Sequence, residues 1–260
     1  MNVIDDDQAE DLWGYAKRLR FVRDTISAAF PSRRPDSLSL LDVGCGNGSQ
    51  LALPLAVKCG FHITGVDTDS RSIEHAKQLA GQNPNINFAC GGVEDLSNKR
   101  LFDVVILSEV LEHLEQPADL LTASARLMDP DGILIVTVPN GYGEFEIDSW
   151  IYRKLSLQKI VDTLAERHEV LGATDNIENG HIQFFTRSRL RRLFSAAGLI
   201  AFREGAGSFM AGPIVGHVLA RSTRLINWNA RVTDQLPFIF ASGWYFALRR
   251  AGRETTGGTV

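Results

Sequence analysis

The sequence predicts an α/β protein in which helices cover both faces of a mostly parallel sheet. Short apolar runs, typical of strands buried on both faces, occur at 38–43, 61–67, 86–91, 102–108 and 132–139. Segments with helical spacing separate several of these runs, at about 48–59, 70–80 and 116–128. Strands that alternate with helices form parallel sheets, because each helix carries the chain back to the edge where the next strand begins.

The size and composition are those of one ordinary globular domain. The chain has 260 residues, of which 44% are apolar and 22% charged, so one large core can form. Its net charge of −4 provides no basic field for a polyanion, which argues against nucleic acid as a partner. Three cysteines without CxxC spacing argue against a disulfide scaffold and favour a reducing compartment.

The N-terminal residues do not resemble a signal peptide. The acidic N-terminus, MNVIDDDQAED, has neither the basic region nor the apolar region of a signal peptide. No apolar run approaches the ~18 residues that a membrane-spanning helix needs. We therefore expect a cytoplasmic protein.

We expect the whole chain, 1–260, to form a single domain with a small cap. An N-terminal helix region would take residues 1–35, with a helix predicted over 8–30, and the sheet-forming core would take 36–140. The remaining segments, 141–185 and 205–242, contain many aromatic residues and would build the substrate cap.

The segment LLDVGCGNGS carries the strongest local signal. Asp42 ends a predicted strand, Gly44, Gly46 and Gly48 follow, and a helix is predicted next. Glycines let the backbone turn sharply and approach a ligand, and a helix N-terminus offers free N–H groups. The loop is therefore placed to bind a ligand at the carboxyl edge of the sheet.

The end of the second strand supports a nucleoside as that ligand. Asp67 lies 21 residues after Gly46, the offset expected of a carboxylate that accepts both hydroxyls of a ribose. Ser49 stands where the dinucleotide fingerprint requires its third glycine, and no GK[ST] of a Walker A loop follows. An NAD-dependent oxidoreductase is thus disfavoured, and a non-catalytic nucleoside-binding module remains an alternative.

Together with further segments, this loop resembles the class I S-adenosylmethionine-dependent methyltransferases. The matching segments follow in order: LDVGCGNGS, GVD, GGVEDL, FDVVILSEVLEHL and GILIVTVPN. The resemblance implies a Rossmann-like, seven-stranded, mostly parallel sheet with an antiparallel last strand, helices on both faces and a small cap. GWYFALRR (243–250) fits the last strand and LIAFRE (199–204) the one before it.

The resemblance also assigns residues to the cofactor, S-adenosylmethionine. The glycine loop would line its methionine part, Asp67 would hold the ribose, and the segment after the third strand would meet the adenine. The implied cofactor-binding positions are Asp42, Gly44, Gly46, Gly48, Asp67, Thr68, Val93, Glu94 and Ser108. One departure is Gly92, where many relatives have Asp.

More closely, the chain resembles the ubiquinone-biosynthesis O-methyltransferase group. In that group a basic N-terminal helix helps to bind the cofactor carboxylate. The corresponding helix here contains Lys17, Arg18, Arg20 and Arg23. We assign the role to Arg20, with a solvated basic helix face as the alternative.

The segment SEVLEHL, at the predicted active-site rim, supplies the candidate catalytic groups. If it forms one turn of helix, Glu109, Glu112 and His113 lie on one face. Two carboxylates and an imidazole suit a divalent cation, with His181 as a fourth ligand, or a general base with its partners. Glu112 and His113 are the candidate catalytic residues in either case. The same ExxEH pattern occurs in metal-dependent RNA methyltransferases.

The predicted acceptor is a small or lipid-like molecule. The stretches 205–220 and 236–248 are largely apolar, which suits a greasy acceptor or contact with a membrane surface. O-methylation is the favoured reaction, and N-methylation and C-methylation are alternatives because the fold is shared by all three.

Overall fold

In the computed structural model, residues 10–11, 14–96, 101–141, 182–209 and 222–252 are described. Within these ranges a single sheet contains seven strands. They are β1 Ser39–Val43, β2 His62–Asp67, β3 Ile86–Cys90, β4 Phe102–Ser108, β5 Met128–Pro139, β6 Leu199–Ala206 and β7 Gly243–Arg250. The α-helices described are α1 Tyr15–Ala29, α2 Ala52–Cys59, α3 Ser70–Ala80, α4 Pro117–Leu127, α5 Arg187–Ala196 and α6 Thr223–Val232.

The strand order across the sheet is β3-β2-β1-β4-β5-β7-β6. Strands β1 to β5 are parallel, whereas β7 is antiparallel to both of its neighbours, β5 and β6. The chain moves outward from β1 through β2 and β3, then returns to place β4 on the other side of β1. The sheet therefore has a switch point between β1 and β4, where α/β proteins bind ligands.

Alternating side chains along the strands give the sheet an apolar core on each face. In β1, Leu40 packs in the cluster that contains α1, α2 and α3, whereas Leu41 packs with α4 and α5. Burial on both faces explains the continuous apolar runs in the sequence. The predicted fold class, a mostly parallel seven-stranded sheet with an antiparallel last strand and helices on both faces, is confirmed.

Helix α1 begins later than the predicted start of the helix at residue 8. Gly14, immediately before it, has a φ of 71°, which is not helical. The carboxylate of Asp11 accepts hydrogen bonds from the backbone N–H groups of Tyr15 (2.9 Å) and Ala16 (2.6 Å). A carboxylate at this position satisfies N–H groups that have no partner within the helix, so it fixes the helix start.

Two side chains hold part of the second predicted cap segment against the sheet. From α1, the Nζ of Lys17 donates to the carbonyl oxygen of Ala230 at 2.7 Å. Directly after β5, the Nδ2 of Asn140 donates to the carbonyl oxygens of Ile239 (2.8 Å) and Ala241 (2.9 Å). The carboxyl end of the sheet is therefore joined to the segment around α6.

Most of the first cap segment, 141–185, lies outside the described residues, as do 210–221 of the second. The division of the chain into 1–35, 36–140 and two cap insertions stays a prediction. In the described ranges, no helix is long and apolar enough to cross a membrane.

Candidate functional site

The carboxyl ends of β1 and β4 meet at the switch point of the sheet. Asp42 and the glycine loop lie at the end of β1, and Ser108 and Glu109 lie at the end of β4. Because these strands are neighbours with parallel register, their ends border one crevice. The structure thus brings the loop and the predicted rim together.

The three loop glycines all have positive φ, as the sharp turn requires, but they differ in their surroundings. A Cβ on Gly44 would lie 2.5 Å from Val110 Cγ2, and one on Gly48 would lie 2.5 Å from Phe88 Cζ. A Cβ on Gly46 would meet no atom within 4 Å. Gly44 and Gly48 therefore permit close packing of the loop, whereas Gly46 borders open space.

Strand β2 holds the loop in place through its last two residues. The carbonyl oxygen of Val66 accepts hydrogen bonds from the N–H groups of Gly44 (2.8 Å) and Cys45 (3.1 Å). The carboxylate of Asp67 accepts one from the N–H of Gly46 at 2.8 Å. Each carboxylate oxygen can accept more than one hydrogen bond, so Asp67 positions the loop and can still accept bonds from a ligand.

Asp42 is buried beneath the loop, and the charges of two other residues act on its carboxyl group. Burial raises the pKa of this carboxyl to about 7, while the Arg18 guanidinium lowers it and the Asp67 carboxylate raises it. Burial thus makes the ionised form of Asp42 costly near neutral pH. A ligand cation in the crevice would favour that ionised form.

Arg18 is the buried cation at the floor of the crevice. Its Nη2 donates to Oε1 of Gln50 at 2.6 Å, and its Nη1 lies 3.4 Å from Oε1 of Glu109. The guanidinium also lies over the ring of Tyr15, 5.1 Å from the ring centre. Its Nε is buried and has no hydrogen-bond partner among the described residues. A buried donor without a partner is costly, so the position favours an anionic ligand group.

The basic residue that contacts Glu109 at the end of β4 is therefore Arg18, and the cofactor role of Arg20 stays a prediction. Arg20 forms an ion pair with Glu10 instead of contacting a crevice residue. The sequence contained a signal for Arg18, because Val22 and Thr25 follow it at i+4 and i+7. These three residues share the buried face of α1, and Arg20 does not lie on it.

A short polar network closes the crevice at the end of β4. The hydroxyl groups of Ser108 and Thr137 are 3.0 Å apart, and Thr137 donates to Oε1 of Glu109 at 2.8 Å. Among the described residues, Glu109 is the one non-glycine with positive φ, at 55°. Such a backbone costs of order 1–3 kcal/mol and persists where surrounding contacts enforce it, here those of Thr137 and Arg18.

The expected single helical face for Glu109, Glu112 and His113 is wrong. Only Leu111–His113 form a turn, a 3-10 helix, and Glu109 precedes it with its left-handed backbone. Glu112 is 0% exposed, and its Oε1 lies 3.8 Å from Nε2 of the half-exposed His113. The carboxylate of Glu112 therefore pairs with the imidazole, while that of Glu109 points to Arg18 and Thr137.

The chain contacts this turn again at Ile182 and Gln183, directly after the predicted ligand His181. The carbonyl oxygen of Glu112 accepts hydrogen bonds from the N–H groups of Ile182 and Gln183, both at 3.0 Å. His181 itself lies outside the described residues.

Of the four predicted metal ligands, the structure describes Glu109, Glu112 and His113. Among the described residues, no group of three or more His, Cys, Asp and Glu side chains could hold a metal ion. Glu109 fits such a site poorly, since the guanidinium of Arg18 is its near neighbour. The metal site formed by Glu109, Glu112, His113 and His181 stays a prediction.

The remaining predicted cofactor positions follow β2 and β3. Thr68 is exposed directly after β2, and Val93 is buried in the 3-10 turn Val93–Asp95. The exposed side chain of Glu94 folds back over Gly92, and a Cβ on Gly92 would collide with the Glu94 carboxylate. The carboxylate of Glu94 therefore occupies the space beside Gly92.

A family model described as a methyltransferase domain matches residues 13–201, which is more than half of the chain. The chain belongs to the methyltransferase-domain family. The resemblance to class I S-adenosylmethionine-dependent methyltransferases is thereby confirmed at the level of family. The match includes α1 with Arg18, all of β1 to β5 and the turn with His113. It ends before α6.

Two relatives of this methyltransferase are named ubiquinone biosynthesis O-methyltransferases. The protein from Rickettsia akari is 35% identical over 124 residues, covering 47% of this chain and 48% of its own length. The protein from Maricaulis maris is 39% identical over 129 residues, covering 47% and 50%. The chain thus matches about half the length of these relatives.

Among solved structures, this methyltransferase is similar to magnesium protoporphyrin IX methyltransferase from Synechocystis, determined with bound SAH. The TM-score is 0.58 at 17% identity, and the match covers 92% of this chain and 84% of that one. A likeness at this identity confirms the fold alone.

Replacing Gly46 or Gly48 by Ala is expected to lower the free energy of unfolding by different amounts. In Gly48→Ala the left-handed backbone costs about 1–2 kcal/mol and the collision with buried Phe88 about 1–3 kcal/mol more. Gly46→Ala carries only the first cost, because its Cβ points into open space. Denaturant unfolding measures both, and equal losses would contradict the described packing.

The buried Asp42 predicts a stability that depends on pH. Its folded pKa of about 7 lies above the ordinary 3.8, so the neutral carboxyl favours the fold at low pH. This contribution, on the order of a few kcal/mol, is lost as the pH rises from about 4 to about 7. We expect Asp42→Asn to remove that fall from the pH profile of the unfolding free energy.

The matched control for Asp42→Asn is Asp119→Asn, which changes an exposed carboxyl on α4. It should leave the pH profile unchanged. A difference between wild type and Asp42→Asn that stays constant from about pH 4 to about pH 7 would contradict the raised pKa.

Proposed function

We propose that this methyltransferase binds S-adenosylmethionine in the crevice between β1 and β4. It would transfer the methyl group to a hydroxyl oxygen of a small or lipid-like molecule. The observation that carries the proposal is a glycine loop that borders open space at Gly46, with the Asp67 carboxylate bonded to its N–H and the buried Arg18 bonded to Gln50 further along the same segment. One anionic and one cationic group at the same loop suit a ligand that carries both hydroxyls and a carboxylate.

Each end of the crevice has groups for a different part of the cofactor. Asp67 can accept the ribose hydroxyls, since its oxygens keep acceptor capacity beside the N–H of Gly46. Arg18 can donate to the amino-acid carboxylate through its Nε, and Asp42 can accept from the ammonium group. The 3-10 turn with Val93 and Glu94 would face the adenine.

When bound, S-adenosylmethionine supplies a methyl group on a positively charged sulfur, which makes the methyl carbon electrophilic. The chain's own task is to orient the acceptor oxygen in line with that carbon and to remove its proton. His113 is half-exposed at the rim and can take the proton at an imidazole nitrogen. Glu112, 3.8 Å from its Nε2, would stabilise the imidazolium that forms. The new C–O bond replaces the C–S bond, giving a methyl ether and S-adenosylhomocysteine.

The relatives support a hydroxyl acceptor, because both are named O-methyltransferases of ubiquinone biosynthesis. An RNA acceptor is less well supported by charge. Most arginines of α5 are already paired: Arg187 and Arg191 both form ion pairs with Glu204. Arg189 donates to Gln183 and to a backbone carbonyl.

Arg18→Gln is predicted to weaken the binding of S-adenosylhomocysteine by about 10- to 100-fold. A hydrogen bond to a charged group contributes about 1.5–3 kcal/mol, and Gln cannot supply the charge. Calorimetric titration measures the affinity. Arg20→Gln is the matched control, because Arg20 pairs with Glu10 outside the crevice, and its affinity should stay within about twofold of wild type.

Since Arg18 is buried, its loss could also loosen the fold, so Arg18→Lys is a second variant. Lys keeps the charge but lacks the planar donors, and its affinity should fall between those of wild type and Arg18→Gln. Equal affinities for Arg18→Gln and Arg20→Gln, both well folded, would contradict the assignment.

His113→Ala is predicted to lower kcat by about 10²- to 10⁴-fold, the usual contribution of a general base. The affinity for S-adenosylhomocysteine should not change, since His113 lies at the rim. Turnover is measured with phenols that carry or lack an apolar tail, with and without EDTA. Unchanged kcat in His113→Ala would overturn the role of His113, and loss of wild-type turnover in EDTA would favour a metal instead.

A further inference from the structure

A cluster of exposed apolar side chains lies on and beside α6, outside the family match. Trp228 is 49% exposed, Ile239 66% and Phe240 50%, although all three are large apolar residues. The ring of Phe209 contacts those of Trp228 and Phe240, with ring centres 6.4 Å and 6.5 Å apart. With Leu225, 41% exposed on α6, these residues form one surface, which we call the aromatic face.

Positive charge borders the aromatic face. Arg224 and Arg231 are exposed on α6 and lie one turn before and one turn after Trp228. No ion pair of either arginine is found among the described residues. The acidic residue in this part of the chain, Asp234, forms an ion pair with Lys17 at 2.7 Å. Within the part of the chain that the structure describes, the face therefore carries two positive charges that no acidic side chain pairs with, on a protein whose net charge is −4.

The two arginines and Trp228 line one shallow depression. Its volume is about 370 Å³, and Asn227, Val232 and Gln235 complete its lining. A phosphate group placed there could accept hydrogen bonds from both guanidinium groups. Tryptophan beside such a group is typical of protein surfaces at the boundary between lipid headgroups and acyl chains.

The aromatic face lies at the carboxyl edge of the sheet, as the crevice does. Asn140, at the end of β5, holds the carbonyl oxygens on both sides of Phe240. On α1, Lys17 holds the last turn of α6 through Ala230, and its neighbour Arg18 points into the crevice. A partner whose surface contacts the aromatic face would therefore lie close to the entrance of the crevice.

We propose that the aromatic face docks this protein on the surface of an anionic lipid bilayer. The aromatic and aliphatic side chains would enter the headgroup region, and Arg224 and Arg231 would pair with lipid phosphates. This interaction goes beyond methyl transfer. Its benefit to catalysis, delivery of a lipid-like acceptor to the crevice, rests on the proposed function.

A second copy of the chain fits the face less well than a bilayer. In a twofold dimer the same surface meets itself, so Arg224 and Arg231 would face the same arginines of the other copy. Like charges across an interface are unfavourable, whereas an anionic bilayer complements them.

The test is co-sedimentation of the full chain with vesicles. One set contains phosphatidylcholine alone, and the other contains equal parts of phosphatidylcholine and phosphatidylglycerol. We expect binding to the second set that weakens as salt is added. The double variant Arg224→Gln, Arg231→Gln should bind about 30-fold more weakly, because each basic residue near an anionic surface contributes about 1 kcal/mol.

Matched variants separate this effect from general changes in charge or folding. Arg126→Gln combined with Arg192→Gln removes two exposed arginines of α4 and α5 and should leave vesicle binding unchanged. Trp228→Ser should weaken binding, whereas Val57→Ser, at a 58% exposed residue of α2, should not. The affinity of every variant for S-adenosylhomocysteine should match that of wild type.

Three results would overturn the proposal. The first is no binding to anionic vesicles. The second is equal binding by the two double arginine variants. The third is a wild-type dimer in sedimentation that Trp228→Ser dissociates, because a second copy would then cover the face. Vesicle binding without binding of S-adenosylhomocysteine would leave this proposal intact and overturn the proposed function.

Discussion

The burial of the Arg18 guanidinium is the constraint on which the geometry of the crevice depends. A buried charge is tolerated only where partners surround it, and here these are Gln50, Glu109 and the ring of Tyr15. Through them one side chain of α1 contacts the loop before α2 and the end of β4. The left-handed backbone of Glu109 follows from the same contact, since Arg18 and Thr137 hold its carboxylate at the crevice floor. The Nε of Arg18 is buried and has no hydrogen-bond partner among the described residues.

Most of the fold could be predicted because strands buried on both faces leave a simple pattern. Each apolar run of β1 to β4 coincides with a strand to within one or two residues, and Leu40 and Leu41 show why both faces had to be apolar. Element boundaries were harder, since they depend on contacts that the local pattern does not contain. Asp11 caps α1 at Tyr15, whereas the apolar spacing alone placed the helix start seven residues earlier.

The roles of the site residues stay predictions, but their local geometry was easier to predict where the backbone decides it than where tertiary contacts do. The loop glycines and Asp67 are fixed by a turn that only certain residues allow, so their spacing was informative. The prediction that Glu109, Glu112 and His113 share one helical face was wrong. Glu109 contacts Arg18 and Thr137, and the local sequence contains no sign of these tertiary contacts. The burial of Arg18 could have been predicted, because its spacing to Val22 and Thr25 marks the buried face of α1.

The central claim is that the crevice recognises a nucleoside that carries an amino-acid group, with Arg18 meeting its carboxylate. The most direct measurement compares the calorimetric affinities of the wild-type protein for S-adenosylhomocysteine and for 5′-methylthioadenosine, which lacks that carboxylate and its ammonium group. The account predicts that S-adenosylhomocysteine binds at least about tenfold more tightly, the contribution of one charged hydrogen bond. Equal affinities would contradict it, as would binding of NAD in place of both.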